Sequence, residues 1–504
     1  MSQLKANIAA NYLGQGWRAI MSLAFVPLYL KYMGIEAYGL IGIFAILQAS
    51  LSIFDVGMKP ALGREMARYT GGAHNDQSIW DLLRSIELLS SFIVIAIAIF
   101  IWAISNWLAT DWVRVPTLSQ AIIAQAFSLM GIVAALQFLE SIYVSSLAGL
   151  QRQVMQNSVT GIMATIRGVG AAGVLIWVEP STRAFFIWQA ICSVVSLVVS
   201  RAVVYRALPI PPRPARFSPV ALAGIWRFAA GMLGITILAL LLTQVDKILL
   251  SRLLTLKLFG YYALAGVVSG SLGVLVAPIS AAYYPKFIEL LVMRDNAALS
   301  QVYHQGAQLV TVMVGSAAVM LMVFREQILF LWTGDEVLAH QVGPIMSVLA
   351  LGTFFNCLMW IPYQMQLAAG WTSLTIVINS IAVGIFVPLI LWLVPIYGSI
   401  SAAWIWVGIN GGYCIVGVQF MFRRLLVKEK WAWYRTDVSI PLIAAFVTTM
   451  LARLAFPIHY SKPLGVILIG CISTIVLTTS AMAAPLARQH ILGYLYKRAM
   501  FNKR

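Results

Sequence analysis

The sequence predicts an all-α integral membrane protein, and three observations support that prediction. Of the 504 residues, 61% are hydrophobic and only 10% are charged, whereas soluble domains are about 45–50% apolar and about 25% charged. The mean hydropathy is +0.87. Long apolar runs alternate with short polar segments along the whole chain. This composition excludes an ordinary soluble domain, a disordered chain and a disulfide scaffold.

The apolar runs predict about fourteen transmembrane helices, because a helix that crosses the hydrocarbon core needs about 20 apolar residues. The first run contains Asn11, Gln15 and Arg18, so it is too polar and too long for a cleaved signal peptide and is expected to be a retained span. The predicted spans are 7–30, 36–60, 84–108, 119–147, 156–178, 184–206, 226–250, 257–285, 303–324, 341–368, 372–394, 398–422, 438–457 and 463–485.

The distribution of Lys and Arg predicts that both termini face the cytoplasm. With that orientation, 21 of the 34 basic residues fall in cytoplasmic segments and 8 fall on the opposite side. Cytoplasmic loops of membrane proteins carry the excess of Lys and Arg. Much of the net charge of +17 therefore reflects topology, and we expect no nucleic-acid partner.

The connecting loops leave no room for a catalytic domain, since none exceeds about 25 residues and the common nucleotide-binding, zinc-protease and hydrolase motifs are absent. The four cysteines, Cys192, Cys357, Cys414 and Cys471, lie in apolar runs without CxxC spacing, which argues against a metal site. We therefore expect a protein that is not an enzyme and that uses no metal and no cofactor.

A proline-rich segment divides the predicted spans into two sets of six. Residues 207–219, ALPIPPRPARFSP, contain five prolines and two arginines and predict a semi-rigid, solvated connector. Residues 9–14 (AANYLG) align with residues 229–234 (AAGMLG), which favours a parallel pseudo-repeat. The predicted domains are an N-terminal six-helix lobe at 1–206, a cytoplasmic connector at 207–225, a second six-helix lobe at 226–424, and two additional helices with a basic tail at 425–504. The last two helices either widen a lipid-facing groove or add stability.

Two stretches resemble a known family. They are NYLGQGWRAIMSLAFVPLYLKYMGIEAYGLIGIFAILQASLSIFDVGMKPALGREMARY near the N-terminus and QVDKILLSRLLTLKLFGYYAL in the seventh and eighth spans. Both resemble the Wzx-type O-antigen and polysaccharide flippases of the multidrug/oligosaccharidyl-lipid/polysaccharide exporter superfamily. The resemblance implies a V-shaped pair of six-helix lobes in the bacterial inner membrane. It also implies that undecaprenyl-pyrophosphate-linked oligosaccharides, as O-antigen or exopolysaccharide units, are flipped to the periplasm by alternating access.

Basic residues inside the spans are candidates for binding the pyrophosphate, because charges at membrane depth are costly and commonly functional. Arg18 and Arg167 each lie about eleven residues into a span, near the midplane. A guanidinium makes bidentate bonds to phosphate oxygens. The alternative is a structural ion pair with Glu140 or Asp55. Lys59 is a third substrate-binding candidate. Because it is four residues after Asp55, the two side chains are expected to share a helical face, and a mutual ion pair is the structural alternative.

Acidic residues inside the spans are candidates for coupling or gating. Glu140 has no basic residue near it in sequence, so it either pairs with an arginine or titrates to couple transport to an H⁺ or Na⁺ gradient. Asp55 is a second candidate. Asp246 and Lys247 form an Asp-basic pair that recurs in the family resembled, where substrate contact and a structural role in closing the periplasmic side are both open.

The leading interpretation is a flippase whose partners are a lipid-linked oligosaccharide, membrane lipids and other membrane proteins of polysaccharide assembly. The first alternative is a cation-coupled multidrug exporter of the same fold. A second is a membrane-embedded polysaccharide polymerase or ligase. The positive sign of the two midplane residues favours an anionic lipid phosphate over an organic cation.

Overall fold

A computed structural model of the protein describes residues 3–55, 57–70, 72, 74–113, 119–371, 373–457 and 461–489. Nearly all of this described chain is helical. The chain divides into two compact units, Met1–Gly260 and Tyr261–Arg504. The basic tail that the sequence analysis placed after the last helix lies mostly outside the described residues. The predicted division at 206 and 226 stays a prediction.

The described residues of the first unit form eight helices, besides the first residues of a ninth. Their bounds are α1 Gln3–Ala24, α2 Val26–Ser50, α3 Met58–Thr70, α4 Asp76–Trp112, α5 Gln120–Gly149, α6 Gln153–Trp177, α7 Thr182–Ala207 and α8 Pro219–Leu253. In this unit α5 packs against α4 and α7, and α1 packs against α6.

The remaining helices form the second unit, apart from the first residues of α9. Their bounds are α9 Leu256–Met293, α10 Asn296–Val323, α11 Arg325–Thr333, α12 Glu336–Ala368, α13 Ser373–Tyr397, α14 Ser399–Arg424, α15 Lys430–Ala455 and α16 Lys462–Ala483. The core of this unit is aromatic and includes Phe287, Tyr303, Phe354 and Trp433, each at most 1% exposed.

Twelve of the helices formed by the described residues are long and apolar enough to cross a membrane, which confirms the all-α membrane class. The helices α1 and α8 coincide with the first and seventh predicted spans but are not among the twelve. The count of fourteen spans therefore stays a prediction.

The prediction of one continuous helix over residues 36–60 was wrong. Within α2, Gly34 has a φ of 80° that breaks the helix between the first two spans. The chain then leaves α2 through a 3₁₀ turn, Leu51–Asp55, and restarts at Met58 after Gly57, whose φ is 73°. Such a φ suits glycine and interrupts an α-helix. Asp55 and Lys59 consequently lie on two different elements, and the expected shared helical face does not exist.

Close packing in the first unit depends on small residues. A Cβ atom on Gly149 of α5 would lie 2.2 Å from the carbonyl oxygen of Gly63 on α3. The absence of side chains lets the two helix backbones approach, as small residues do in membrane helix pairs. A cluster of buried hydrophobic residues joins α3, α4 and α5 to the end of α7 and the start of α8.

The proline-rich connector is largely exposed, as expected, but it is also fixed to the start of α4. Trp80 Nε1 donates to the carbonyl oxygen of Pro209 at 2.7 Å. The Asp81 carboxylate accepts from the backbone N–H of Arg216 at 2.9 Å, and the Ser85 hydroxyl oxygen accepts from the backbone N–H of Ser218 at 2.8 Å. The connector is therefore a clamped segment of the first unit rather than a free linker.

Candidate functional site

A polar seam joins α1 to α6 in the first unit. Asn11 and Arg18 are seven residues apart on α1, and Gln153, Asn157 and Thr160 follow at spacings of four and three on α6. Residues three, four or seven apart lie on the same helical face. We call these five residues the α1–α6 seam.

Side-chain amides connect the seam from one end to the other. Asn11 Nδ2 donates to Gln153 Oε1 at 2.7 Å, and Asn157 Nδ2 donates to Asn11 Oδ1 at 2.7 Å. The chain ends at Arg18, whose Nη1 donates to Asn157 Oδ1 at 3.1 Å and to Thr160 Oγ1 at 3.0 Å. The amides of Asn11 and Asn157 therefore each use both the nitrogen and the oxygen, and the Asn157 oxygen accepts from the guanidinium.

Glycine allows the two helices to meet at this level. A Cβ atom on Gly14, midway between Asn11 and Arg18, would lie 2.3 Å from Asn157 Oδ1. One turn further along, Trp17 Nε1 donates to Thr165 Oγ1 at 2.9 Å. The close approach places the Asn157 amide within reach of α1 and of the guanidinium.

Arg18 is a cation held by neutral groups. It is half-buried, and among the described residues it forms no ion pair with Glu140 or any other carboxylate. Both of its hydrogen bonds use Nη1, so Nε and Nη2 keep donors that no described side chain accepts; a guanidinium has five N–H donors in all. The structural alternative, an ion pair with Glu140, is thus not what the structure contains.

Arg167 lies on the same helix as Thr160, one heptad further along, and has weaker contacts. Its Nη2 donates to Ser193 Oγ on α7 at 3.4 Å. Its Nε is buried without a hydrogen-bond partner among the described atoms. Burying an unsatisfied donor costs about 1–3 kcal/mol. Arg167 is therefore a second cation that lacks a carboxylate partner in the described part of the first unit.

Two polar pairs link α5 to α7 beside Arg167. Gln137 Nε2 donates to Ser193 Oγ at 3.3 Å, and Gln48 of α2 in turn donates to Gln137. Three residues further along α5 and α7, the Ser196 hydroxyl donates to the Glu140 carboxylate. Glu140 thus faces α7 and has a neutral partner instead of the arginine considered from sequence.

Two of the other predicted site residues, Lys59 and Lys247, contact groups outside the seam. The Lys59 ammonium lies 4.3 Å from the centre of the Phe138 ring. Asp246 is buried, and Lys247 Nζ donates to the carbonyl oxygen of Thr243 at 2.8 Å. The side chain of Asp55 lies outside the described ones.

Glu87 was not among the site residues predicted from the sequence. Glu87 is 4% exposed. Tyr143 and Tyr205 donate their hydroxyls to its carboxylate at 2.9 Å, and Arg84 Nη1 lies 3.2 Å from it. Buried carboxylates need such donors. No spacing signal relates Glu87 to tyrosines 56 and 118 residues away.

A second missed cluster ties α15 to α10 in the second unit. Asp437 is 0% exposed, and His304 is 9% exposed. His304 Nδ1 is hydrogen-bonded to the Asp437 carboxylate, which also accepts from Gln308 Nε2 at 2.9 Å. His304 Nε2 lies 3.1 Å from Glu429. Among the described residues no group of three His, Cys, Asp or Glu side chains could hold a metal ion.

One acidic cluster lies on α3, outside the membrane-spanning helices. Glu65 is 4% exposed and contacts Arg68 Nη1 at 2.9 Å and His74 Nε2 at 2.7 Å. Burial alone would raise the pKa of this carboxyl, but the hydrogen bonds and charges of His74 and Arg68 outweigh it and hold the pKa below its ordinary value.

Comparison with known proteins confirms the resemblance. The chain matches the family described as polysaccharide biosynthesis protein over residues 4–291. A Shigella flexneri protein provisionally named an O-antigen transporter is 23% identical over 390 residues, which cover 77% of this chain and 90% of that protein.

Solved structures confirm the fold. The lipid II flippase MurJ in an inward closed conformation gives a TM-score of 0.71 at 13% identity, over 96% of this chain and 99% of that chain. An inward-facing multidrug resistance transporter of the MATE family, from the MOP superfamily, gives 0.65 at 14% identity, over 84% and 96%. A MOP superfamily transporter from Pyrococcus furiosus gives 0.54 at 14% identity, over 90% and 96%, and is described as having a binding pocket of reverse polarity that suggests a different function. The fold alone thus does not decide the charge of the pocket.

The family match covers more than half of the chain, and the structural matches extend over most of its length. The chain therefore belongs to the polysaccharide biosynthesis protein family, and it is a multi-pass membrane protein whose fold is that of MurJ and of the MATE transporters.

Proposed function

We propose that the protein is a flippase for undecaprenyl-pyrophosphate-linked oligosaccharide, an O-antigen or exopolysaccharide unit, in the bacterial inner membrane. Family membership and the Shigella relative support this substrate class. Transport proceeds by alternating access and is coupled to an H⁺ or Na⁺ gradient. Its partners are the lipid-linked substrate, membrane lipids and other membrane proteins of polysaccharide assembly.

The observation that carries this proposal is the guanidinium of Arg18 at the end of the α1–α6 seam. It is hydrogen-bonded only to Asn157 and Thr160 among the described residues, and two of its nitrogens remain available as donors. A cation inside a membrane helix costs about 2.5–3.5 kcal/mol on insertion scales. A pyrophosphate would compensate the charge and accept from the unused donors as a bidentate ligand. Arg167, whose Nε has no partner among the described atoms, supplies a second positive charge in the same unit.

Glu140 is the proposed coupling residue. Its carboxylate has a neutral donor, Ser196, and no cation among the described residues. A carboxylate in that setting can exchange a proton or bind a cation without first breaking an ion pair. Lys59, Asp55, Asp246 and Lys247 remain proposed substrate or gating residues.

A multidrug exporter for organic cations is the rival with the same fold. Such a substrate needs acidic groups in its binding site, because like charges repel. The seam presents a cation and amides instead. A polymerase or ligase lacks support because the loops are short.

Reconstituted flipping tests the proposal. Proteoliposomes containing undecaprenyl-pyrophosphate-linked oligosaccharide are assayed for translocation with defined H⁺ or Na⁺ gradients. Arg18→Ala should abolish transport without reducing folded protein, and Arg18→Lys should restore it only in part because the ammonium lacks the fork geometry. Gln15→Ala, an exposed polar position on the same helix, is the matched control and should transport normally. Full transport by Arg18→Ala at normal abundance would remove the seam from the proposal.

Topology is tested separately. The charge bias of the loops favours cytoplasmic termini and a cytoplasmic connector. Cysteines introduced at Pro211 and Arg504 should react with membrane-impermeant thiol reagents only after the inner membrane is permeabilised. Labelling of either position in intact spheroplasts contradicts the orientation.

A further inference from the structure

A long apolar groove runs between α13 and α14 in the second unit. These helices are joined at Gly398, and a cavity of about 770 Å³ follows them from Tyr397, beside the joint, to Ile378 and Phe420 at the other end. Its lining is almost entirely aliphatic and aromatic. The volume is that of a pocket for a sizeable small molecule, which is about 300–1,000 Å³.

The groove is kept open by two glycines of α14. Gly408 and Gly412 line it, and a Cβ atom built on either would meet nothing within 4 Å. Both positions are helical, so glycine is not needed there for the backbone conformation. Glycine in a helix interior costs about 1 kcal/mol relative to alanine. No feature of the backbone explains glycine at these two positions. The missing side chains leave space along the groove.

A smaller polar cavity adjoins the groove. Its volume is about 200 Å³, and it shares Ile378, Tyr413 and Gly417 with the groove. The Tyr413 hydroxyl donates to Asn379 Oδ1 at 3.1 Å. Tyr413 begins a π-helical turn, Tyr413–Gly417, and such turns are often found at functional sites.

Amides and aromatic rings line the smaller cavity. Asn356 Nδ2 donates to Asn410 Oδ1 at 2.9 Å, and Trp360 Nε1 donates to Asn356 Oδ1 at 3.3 Å. Thr375 donates to Gln366 Oε1 at 3.0 Å. This combination of amide groups with aromatic faces suits hydroxyl-rich sugar rings and contains no charge.

Two arginines mark the same end of the groove. Arg423 lies 5.8 Å from the ring centre of Phe420, which lines the groove, and Arg424 lies 4.6 Å from the ring centre of Trp371, just before α13. Both side chains are exposed. The groove therefore passes from an apolar channel to a neutral polar cavity and to exposed positive charge within one unit.

We propose that this groove binds the isoprenoid chain of the lipid-linked substrate, with Arg423 and Arg424 attracting the phosphates that join the chain to the first sugar before they reach Arg18, and with the adjoining cavity receiving that sugar. The assignment rests on the proposed function. Apolar contacts alone cannot select this chain, since lipid tails are as apolar as leucine and no hydrophobic gain accompanies entry from the bilayer. Selection over bulk lipid comes from the polar cavity and the arginines at the groove's end.

The test uses the full-length protein in proteoliposomes and two photoreactive probes. One is a polyprenyl pyrophosphate with a diazirine in its isoprenoid chain, and the other is a phosphatidylethanolamine with a diazirine in one acyl chain. Labelled peptides are located by mass spectrometry. The polyprenyl probe should label α13 and α14, and unlabelled polyprenyl pyrophosphate should reduce that labelling at least fivefold, whereas the phospholipid probe should be unaffected by the competitor.

Variants separate the groove from general membrane exposure. Gly412→Leu and Gly408→Leu fill the groove and should reduce both polyprenyl labelling and flipping at least fivefold. Gly384→Leu is the matched control, because Gly384 is exposed on α13, has open space around its Cβ position and does not line the groove. It should label and transport as the unmodified protein does.

The outcomes distinguish the two proposals. Equal labelling of the groove by both probes without competition means that it holds bulk lipid, and wild-type flipping by Gly412→Leu likewise overturns the groove assignment while flippase function stands. Absence of flipping by the unmodified protein overturns the proposed function itself. Arg18→Ala should retain groove labelling although it loses transport.

Discussion

Two buried charges, Arg18 in the first unit and Asp437 in the second, have opposite kinds of surroundings. In the first unit, Arg18 is half-buried and its partners are the neutral Asn157 and Thr160. In the second, Asp437 is fully buried and is held by His304 and Gln308. In the Arg18 cluster, which we call open, the charge has no counter-ion and several N–H donors have no acceptor among the described residues. In the Asp437 cluster, which we call closed, the carboxylate is bonded to neighbouring side chains.

This difference teaches how to separate a ligand site from a structural cluster. A closed polar cluster has no capacity left for a ligand, so its loss should appear as lost stability. An open cluster has capacity left, so its loss should appear as lost binding and transport. The sign of a charge in a membrane helix does not tell a ligand site from a structural cluster. The two are told apart by which of the group's hydrogen-bond donors and acceptors already have partners.

The largest effect on stability is expected at Asp437. Asp437→Ala removes one of the two carboxylate partners of His304 and leaves Gln308 Nε2 without its acceptor, and breaking a buried pair in this way typically costs about 3–5 kcal/mol. Thermal unfolding in detergent and abundance in the membrane should both fall clearly, while Arg18→Ala should change neither. Unfolding of Asp437→Ala at the wild-type temperature would show that the Asp437 cluster does not stabilise the fold.

The next largest effect is expected on gradient-driven flipping, at Glu140 in the first unit. Glu140→Gln keeps the side-chain shape and can still bond to Ser196, but it cannot exchange a proton or bind a cation. Gradient-driven flipping should fall by about tenfold or more, which corresponds to about 1.4 kcal/mol, while substrate binding persists. Ser196→Ala, which removes only the neutral partner, is the control and should retain the gradient response. If transport by Glu140→Gln stays gradient-dependent, the residue is structural.

A smaller effect is expected at Gly14, where the backbone of α1 approaches Asn157 of α6. Gly14→Ala places a Cβ atom 2.3 Å from Asn157 Oδ1, so the Asn157 side chain that binds Arg18 must move; such overpacking typically costs about 1–3 kcal/mol. Transport should fall along with stability. Gly16→Ala on the same helix meets nothing within 4 Å and should be neutral or slightly stabilising. Equal behaviour of the two variants would show that the approach of α1 to α6 does not position Arg18.

The sequence was sufficient to predict the helical membrane fold and the family. Composition and run length depend on single helices, so they can be evaluated without knowing which helices touch. The seam was partly visible in the same way, because Arg18 was identified as a candidate from its position within an apolar run. Its amide acceptors were not identified, because Asn157 is 139 residues away and helix pairing sets the contact.

The remaining differences have the same origin. His304 and Asp437 are 133 residues apart, and nothing in the spacing of either helix indicates that they meet. Glu87 lies near the end of a predicted span, but neighbouring helices surround it with tyrosines. The break between Asp55 and Lys59 arises from Gly57, whose backbone conformation no hydrophobic pattern reveals.

The smallest effect tests the same principle at Glu65, on a helix that is not among the twelve candidate spans. This carboxylate is bonded to Arg68 and His74, as Asp437 is bonded to His304 and Gln308. Unlike Asp437, it can be titrated in an accessible pH range. Its pKa in the folded protein is lower than its ordinary value of 4.5. A depressed carboxyl pKa adds stability that is complete above the unfolded pKa and is lost as the pH falls through the folded value.

Thermal unfolding measured from pH 7 downward should therefore show this contribution as a constant above the ordinary carboxyl pKa and as a decline below it. Glu65→Gln should lower the unfolding temperature at pH 7 and approach the wild-type value as the pH falls, because the wild-type carboxylate then becomes protonated too. Glu289→Gln provides the control, since Glu289 is an exposed carboxylate paired with Lys286 at 2.7 Å, and exposed pairs contribute little. A constant difference between wild type and Glu65→Gln at every pH would mean that Glu65 stabilises α3 through packing and hydrogen-bond geometry and not through its charge.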